Sequence, residues 1–246
     1  MPQKSLAVVI LHYGDVALTR RLHEQLLQSD PDFKDRILVL DNHSPVSYPD
    51  SWLRLKENKY WAGAFKFALE DFDRAGFTHV WFLNNDLFFV SAKPHVSRAW
   101  ARLARLDKRL GEVGIYAPSV TKSPYHPQME RRAGYQFREA ACVDGVAPLV
   151  NLKTLRDVGG LDIQGNPYGY GVDVYFSSQV ALAGWPVVVD HEVCVKHIYH
   201  STARTVDGFL QRAALSEQAY LTKRLGSDYR QKIEDLKKSY RDHERI

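Results

Sequence analysis

The sequence predicts an α/β fold in which a mostly parallel central sheet is flanked by helices. Two observations carry this prediction: short, wholly apolar runs alternate with amphipathic stretches of helical length, and polar residues follow each apolar run directly. The clearest example is HVWFLNNDLFF at residues 79–89, where an apolar run ends in Asn84, Asn85 and Asp86. Ligands bind beyond the carboxyl ends of strands in such sheets, so Asp86 is expected to carry chemistry. The alternative is a simple strand-ending turn.

The elements of the first half follow from the spacing of apolar residues. Buried strands are predicted at residues 6–11, 37–40, 53–55 and 80–83. Helices are predicted from Val16 to near Asp30 and over residues 62–73, where apolar residues recur three and four positions apart. Strands joined through helices pair in parallel by right-handed crossovers, so this half should form a doubly wound sheet of the nucleotide-binding type.

Composition and charge narrow the classes of protein. The chain has 246 residues, 45% hydrophobic and 25% charged, enough to bury the core of one large domain. Its formal net charge of +4 is too small to indicate a nucleic-acid-binding protein. Cys142 and Cys194 stand in separate apolar runs and are expected to be buried free thiols in a reducing cytosol. The apolar run at residues 6–11 is too short for a signal peptide or a membrane span, so we expect a soluble, cytoplasmic protein.

Polar residues collect where the predicted strands end. They are His12, Asp41, Asn42, Ser44, Asn58 and residues 84–86. In a parallel sheet these positions lie along one edge, where a single pocket can hold them. The sequence contains neither G-x-G-x-x-G nor G-x-x-x-x-G-K-[ST]. A phosphorylated ligand would therefore need another positive charge, which a divalent cation held by Asp86 would supply.

Six motifs occur in an order that resembles one family. They are VLDNHS (39–44), ENKYWAGAF (57–65), FLNND (82–86), DGVAPLVNLKTLRDVGGLD (144–162), YGYGVDVYF (168–176) and VKHIYHS (195–201). The set resembles the family 2 glycosyltransferases of the GT-A fold, of the rhamnosyltransferase type that builds bacterial glycans. The resemblance covers residues 5 to about 205 and rests on the ordered set, because each motif alone is weak.

The resemblance implies a nucleotide pocket. Asp41 matches the position that reads the nucleobase or ribose, and His12 and Asn58 match residues that line the same pocket. Gly63 matches a glycine that keeps the first turn of the second helix open beside the ligand. Asn84 occupies the first position of the family's D-x-D motif, where it can offer only a neutral oxygen.

The resemblance also implies a divalent metal, Mn²⁺ or Mg²⁺. Asp86 falls on the second carboxylate of the D-x-D motif, and one carboxylate with phosphate oxygens and waters is an ordinary shell for either ion. His197 aligns with a late histidine of the family, and a neutral imidazole suits Mn²⁺ better than Mg²⁺. His200 stands three residues further on as an alternative ligand. Either histidine could instead be a surface residue near a strand end.

For catalysis the resemblance implies an inverting, metal-assisted transfer. The metal neutralises the diphosphate leaving group, and one carboxylate takes the proton from the acceptor hydroxyl. The family draws this base from a Glu-Asp pair whose positions are Tyr170 and Gly171 here, so Asp173 is the expected catalytic base. Asp144 and Asp162 are alternatives, and Asp173 could instead only cap the helix that follows it.

The implied activity is transfer of a hexose or deoxyhexose from a nucleoside-diphosphate sugar to a glycan or lipid-linked glycan acceptor, as in polysaccharide biosynthesis. Two alternatives stay open because the Glu-Asp pair is replaced. One is a catalytically silent protein that binds sugar nucleotides or glycans, and the other is a retaining transferase on the same scaffold.

We predict a glycosyltransferase domain at residues 1–205, with a nucleotide-sugar half (about 1–115) and an acceptor half (116–205), and a C-terminal helical extension at 206–246. An apolar stripe marks the extension: Leu221, Leu225, Tyr229, Ile233, Leu236 and Tyr240. The stripe is expected to pack on its own domain. Alternatives are a homodimer contact or a surface that rests on anionic lipid, which would place the enzyme at the cytoplasmic face of the membrane.

Overall fold

A computed structural model describes residues 5–199 and 208–246 of the chain. The described strands are β1 (Leu6–His12), β2 (Ile37–Asp41), β3 (Leu53–Arg54), β4 (His79–Asn84), β5 (Leu87–Phe89), β6 (Ile115–Val120), β7 (Phe137–Ala140), β8 (Leu149–Asn151), β9 (Val187–His197) and β10 (Tyr240–His243). The α-helices are α1 (Val16–Ser29), α2 (Tyr60–Arg74), α3 (Val96–Leu110), α4 (Leu152–Asp157), α5 (Val172–Leu182), α6 (Phe209–Leu225) and α7 (Tyr229–Lys238). Short 3₁₀ turns span Pro31–Arg36 and Pro127–Met129.

These strands form a single central sheet. Its order is β10-β7-β9-β6-β8-β4-β1-β2-β3, with β5 paired to β9 beside this path. The pairs of β1 with β2 and β4, and of β2 with β3, are parallel, which confirms the prediction for the first half. In the second half β8 runs antiparallel to both β4 and β6, and β7 runs antiparallel to β9, so the whole sheet is mixed. β6 and β9 pair in parallel in this half, and the chain between them contains two α-helices, as the long crossover of a parallel pair requires.

The apolar runs form the core as the sequence predicts. β1 is buried along its whole length, and Trp81 and Phe82 of β4 are fully buried. α2 covers them with its predicted inner face, which consists of Ala64, Phe65, Ala68, Leu69 and Phe72. Full burial of each large apolar side chain contributes about 1.5–3 kcal/mol, so this layer holds the nucleotide half together. Cys142 and Cys194 are buried and unpaired, as predicted.

A buried ion pair joins the second half of the sheet to its covering helix. Arg102 of α3 donates from Nε to Oδ2 of Asp190 in β9 at 2.5 Å. The hydroxyl of Tyr116 donates to the same oxygen at 2.8 Å. Both ionic side chains are almost inaccessible to water, so the loss of either would leave the other as an unpaired buried charge.

The predicted helices of the C-terminal segment are present, but they do not form one continuous stripe. α6 ends at Gly226, which has a φ of 93°, and α7 begins at Tyr229. Tyr240 lies in a strand instead of a helix, because β10 pairs with β7. Leu221 is buried, and Leu225, Tyr229 and Ile233 pack half-buried against the core. The side chains of Leu221, Leu225, Tyr229 and Ile233 are therefore covered by other parts of the same chain. The division into domains stays a prediction.

Two arginines clamp the last strand. Arg138 of β7 donates to Asp242 at 2.7 Å, and Arg132 donates to the same carboxylate at 2.6 Å. The guanidinium of Arg138 also lies 3.9 Å above the ring of Tyr240.

Within residues 5–199 and 208–246, no helix combines the length and the apolar character that a membrane crossing requires.

Candidate active site

The loop after β2 wraps around Asp41. Its carboxylate is fully buried and accepts hydrogen bonds from the backbone N–H groups of Ser44 at 2.8 Å and Tyr48 at 3.2 Å. Arg54 donates to the same carboxylate at 2.6 Å. Asp41 therefore fixes the loop that forms one wall of the predicted nucleotide pocket. Its role in reading a nucleobase stays a prediction.

His12 braces the same loop from the end of β1. Its ring is fully buried, with Nδ1 2.7 Å from the hydroxyl of Thr19 and Nε2 2.8 Å from the carbonyl oxygen of Val46. Both ring nitrogens thus have protein partners. His12 shapes the pocket wall instead of presenting a free nitrogen to it.

Asparagine side chains hold the start of α2 against this wall. Asn42 accepts from the backbone N–H of Lys59 at 2.9 Å and donates to the side-chain oxygen of Asn58, also at 2.9 Å. Asn58 accepts from the backbone N–H of Tyr60 at 2.8 Å. These bonds satisfy backbone donors at the helix start, which explains why α2 begins earlier than its apolar pattern predicts. A Cβ on Gly63 would come within 2.9 Å of Cβ of Lys59, so the glycine allows the tight first turn.

Trp61 links the end of β4 to the second half of the chain. Its Nε1 donates to the side-chain oxygen of Asn84 at 3.0 Å. The indole is wedged between two glycines: a Cβ on Gly145 would lie 2.5 Å from Cζ2, and one on Gly169 would lie 2.7 Å from Cε3. Only glycine fits at these two positions, because the indole occupies the space a side chain would need.

The structure brings the two predicted metal ligands together. β5 pairs antiparallel with β9 in a register that sets Leu87 opposite His197. Nε2 of His197 consequently lies 2.9 Å from Oδ1 of Asp86. Burial lowers the pKa of His197, but the hydrogen bond to Asp86 and its charge outweigh this, and the net effect raises the pKa. His200, the alternative ligand, lies outside the described residues.

Asp173 belongs to a second group of polar side chains. One ligand atom each of Asp173, Asp144 and His126 lies within 4.8 Å of the others. The backbone N–H of Gly145 donates to Oδ2 of Asp173 at 2.7 Å. Burial, followed by the charge of Asp144, raises the pKa of Asp173 to about 6.

The structure shows where Asp173 lies relative to the start of α5, and where the alternative bases Asp144 and Asp162 lie. The residue before α5 is Gly171, with a φ of 75°, so Asp173 sits inside the first turn and is not the N-cap. Asp162 is half exposed and receives a hydrogen bond from Arg224 at 2.8 Å. Of the two alternative bases, Asp144 is the one that stands beside Asp173.

The charges of both groups act on Tyr170. Burial raises the pKa of Tyr170 to about 12, and the charges of Glu217, Asp86 and Asp173 also raise it. The charge of Asp144 likewise raises the pKa of His197. That the predicted metal ligands and the predicted base act together in one site stays a prediction. His126 and Glu217 were not among the residues predicted from the sequence.

The residues of the site fit a divalent cation. Asp86 and His197 offer the oxygen and nitrogen ligands that Mn²⁺ accepts. Nδ1 of His197 is buried without a hydrogen-bond partner among residues 5–199 and 208–246, so no protein group in this part of the chain occupies it. The group of His126, Asp144 and Asp173 offers three more ligand atoms of the same kinds.

Comparison with known proteins gives three results. No family model matches the chain. An uncharacterised protein of Mycobacterium tuberculosis strain H37Rv is 25% identical over 223 residues, which covers 83% of this chain and 78% of the relative. An uncharacterised protein of Mycobacterium bovis matches to the same extent.

Many solved structures resemble this one, including the following two. The first is GalNAc-T7 with UDP, GalNAc and Mn²⁺, with a TM-score of 0.60 and 12% identity over 80% of this chain. The second is a mannosyltransferase from Pyrobaculum calidifontis with GDP-Man and Mn²⁺, with a TM-score of 0.60 and 14% identity over 89% of this chain. The chain has a GT-A fold.

The GT-A fold agrees with the fold class predicted from the sequence. The chain spans 44% of the length of GalNAc-T7 and 64% of that of the mannosyltransferase. At these identities the likeness extends to the fold alone. Asp86 follows the carboxyl end of β4, and His197 is the last residue of β9.

Proposed function

We propose that the protein is a glycosyltransferase that moves a sugar from a nucleoside-diphosphate donor to a glycan or lipid-linked glycan acceptor. The observation that carries the proposal is the contact of Asp86 with His197, set beside the desolvated carboxylate of Asp173 in a GT-A fold. Solved structures of the same fold hold UDP or GDP-Man together with Mn²⁺, which supports this assignment.

Asp86 and His197 would hold Mn²⁺ or Mg²⁺. When bound there, such an ion would supply positive charge to a diphosphate leaving group. Asn84, held by Trp61, adds a neutral oxygen at the same strand end. On the donor side, His12, Asp41, Asn58 and Gly63 shape the nucleotide pocket.

Asp173 is the base in this proposal. It takes the proton from the acceptor hydroxyl while that oxygen forms a bond to the anomeric carbon. The bond from the anomeric carbon to the phosphate oxygen breaks, and the nucleoside diphosphate leaves with the electron pair. Attack from the face opposite the leaving group inverts the anomeric carbon. A pKa of about 6 suits this role, because the carboxylate is mostly ionised at neutral pH yet more basic than an exposed aspartate.

Thermal stabilisation by nucleotide sugars tests the proposal. A ligand at 100 times its Kd stabilises the native state by about 2.7 kcal/mol, roughly 5 to 11 °C in melting temperature for a chain of this length. We expect at least one UDP, GDP or dTDP sugar to produce such a shift with Mn²⁺ or Mg²⁺, and little shift with EDTA. A full panel that leaves the melting temperature unchanged with either metal would contradict the proposal.

Release of the nucleoside diphosphate separates an enzyme from a silent binding protein. A stabilising donor that is consumed when mixed glycans are added indicates transfer, whereas binding without turnover supports the alternative left open by Tyr170 and Gly171. The cytoplasmic location, the contact with a membrane surface and the homodimer stay predictions.

A further inference from the structure

The first residue of α6 lies at the centre of an aromatic wall. We use this name for Tyr60, Tyr168, Tyr170 and Phe209. The ring centroid of Phe209 lies 5.5 Å from Tyr168, 6.2 Å from Tyr60 and 6.4 Å from Tyr170. Tyr60 and Tyr168 also meet at 4.8 Å. All four side chains are half-buried, so the wall keeps accessible surface beside the residues of the proposed active site.

The same helix brings Glu217 to the loop before α5. A Cβ on Gly171 would lie 3.3 Å from Oε1 of Glu217 and 2.9 Å from Cδ1 of Leu221. The absence of a side chain at Gly171 thus makes room for a carboxylate that comes from another part of the chain. The charge of Glu217 reaches the hydroxyl of Tyr170, whose pKa it raises after the effect of burial.

Glu217 is a partly buried carboxylate without a direct partner. Within residues 5–199 and 208–246 it makes neither a hydrogen bond nor an ion pair. Burial raises its pKa, while the charges of Lys237, His126 and Arg230 oppose that effect from a distance. Lys237 itself is bound to Glu234 at 2.9 Å. An ionised carboxylate only accepts hydrogen bonds, so this position suits a ligand that donates them.

The chemistry of the surroundings selects the ligand. Aromatic faces contact the C–H face of a pyranose ring, and carboxylates accept hydrogen bonds from its hydroxyl groups. An anionic ligand would meet the carboxylate of Glu217, and like charges at short range repel. A neutral saccharide can pack its C–H face on the aromatic wall and donate hydrogen bonds from its hydroxyl groups to the carboxylate.

We propose that Glu217 and the aromatic wall form the acceptor subsite and bind the terminal ring of a neutral saccharide. The ring packs on Phe209 and its tyrosine neighbours, two adjacent hydroxyls donate to Glu217, and another hydroxyl is directed to Asp173. This assignment rests on the proposed glycosyltransferase function and adds to it a substrate class and a binding residue on α6.

Direct binding of simple sugars tests the subsite. The probes are methyl glycosides of neutral hexoses and deoxyhexoses, with methyl glucuronide as the anionic counterpart, followed by saturation-transfer NMR on the full chain. We expect at least one neutral glycoside to bind and the glucuronide not to bind. Glu217→Gln should weaken that binding about tenfold or more, because hydrogen bonds to a charged group are the stronger class. Phe209→Ala should also weaken it, through loss of the stacking surface.

Two matched variants control for indirect effects. Gln218→Ala alters an exposed neighbour on the same helix, and Glu244→Gln removes the same charge at an exposed position. Both should bind the glycoside within about twofold of the parent protein. Circular dichroism checks that each variant is folded, and Phe209→Ala still tests the subsite where Glu217→Gln fails to fold.

The outcomes separate this inference from the proposed function. Nucleotide-sugar stabilisation without binding of any neutral glycoside overturns the acceptor subsite and leaves the proposed function standing. Glycoside binding that Glu217→Gln and Glu244→Gln affect equally also overturns the subsite. Glycoside binding lost in Glu217→Gln, in a protein that no nucleotide sugar stabilises, supports the saccharide site and contradicts the transferase.

Discussion

Replacing Asp173 with asparagine should make the protein more stable and much less active. The folded protein holds this carboxyl at a pKa of about 6 against an ordinary value of 3.8, because burial and Asp144 disfavour its charge. At roughly 1.4 kcal/mol per pKa unit this difference corresponds to roughly 3 kcal/mol. Asparagine carries no charge and can still accept the hydrogen bond from Gly145, so Asp173→Asn should recover most of that free energy. The gain is roughly 6 to 12 °C in melting temperature.

The stability difference between Asp173→Asn and the parent protein should increase with pH. Below pH 3.8 the carboxyl is protonated in both the folded and the unfolded protein, and the substitution should change nothing. Between 3.8 and about 6 the unfolded chain ionises while the folded protein resists, so the parent protein loses stability relative to the variant. Above about pH 6 the full difference is present, and about half of it should be seen at pH 5.

Thermal melts of both proteins in EDTA at pH 5 and pH 8 measure the effect. Asp35→Asn, at an exposed position, is the control and should show no such pH dependence. An equal change in melting temperature at both pH values, or a less stable variant at pH 8, would refute the reasoning. In the same variant kcat should fall by roughly 10² to 10⁴ while donor affinity is kept. Turnover within a few fold of the parent would transfer the role of base to Asp144.

Three further substitutions test the site and its support. Asp86→Ala should abolish the metal dependence of donor binding without loss of the fold, and unchanged Mn²⁺-dependent binding in calorimetry would contradict its role as a ligand. Arg102→Ala should lower the free energy of unfolding, measured in urea, by roughly 3–5 kcal/mol, because the buried carboxylate of Asp190 loses its cationic partner. A loss below about 1 kcal/mol would show that water replaces the guanidinium. Gly145→Ala should cost roughly 1–3 kcal/mol, because its Cβ meets the indole of Trp61, and an unchanged melting temperature would mean that the indole moves aside.

The sequence predicts the first half of the fold well because its elements are encoded locally. The strands at residues 6–11 and 37–40 are wholly apolar, and a strand buried on both faces needs nothing else to be recognised. The apolar pattern predicts the start of α2 two residues too late, because the side chains of Asn42 and Asn58 bind backbone N–H groups at the helix start and lie outside that pattern. The pairing of strands that are distant in the sequence could not be predicted in this way. β8 and β10 have three and four residues, and nothing in so short a stretch specifies its partner strand.

The candidate site shows the same limit. Asp86 and His197 could be predicted as neighbours only through the resemblance to a family, because they lie 111 positions apart in the sequence. His126 follows Pro124 and Tyr125 in a loop without periodicity, and no pattern singles it out. Glu217 did leave a signal. It stands four positions from Leu221, and so places a charge on the side of α6 that packs inward.

The two outer strands of the sheet bear on how the protein behaves when it is concentrated. An open strand edge is a template on which other chains can pair and aggregate, and short, charged edge strands suppress this. β3 has only two residues, and β10 has four, among them Arg241 and Asp242. The clamp of Arg132 and Arg138 on Asp242 keeps β10 over the edge of β7. We therefore expect the resistance of this protein to aggregation to depend on the ionic contact that keeps β10 in place.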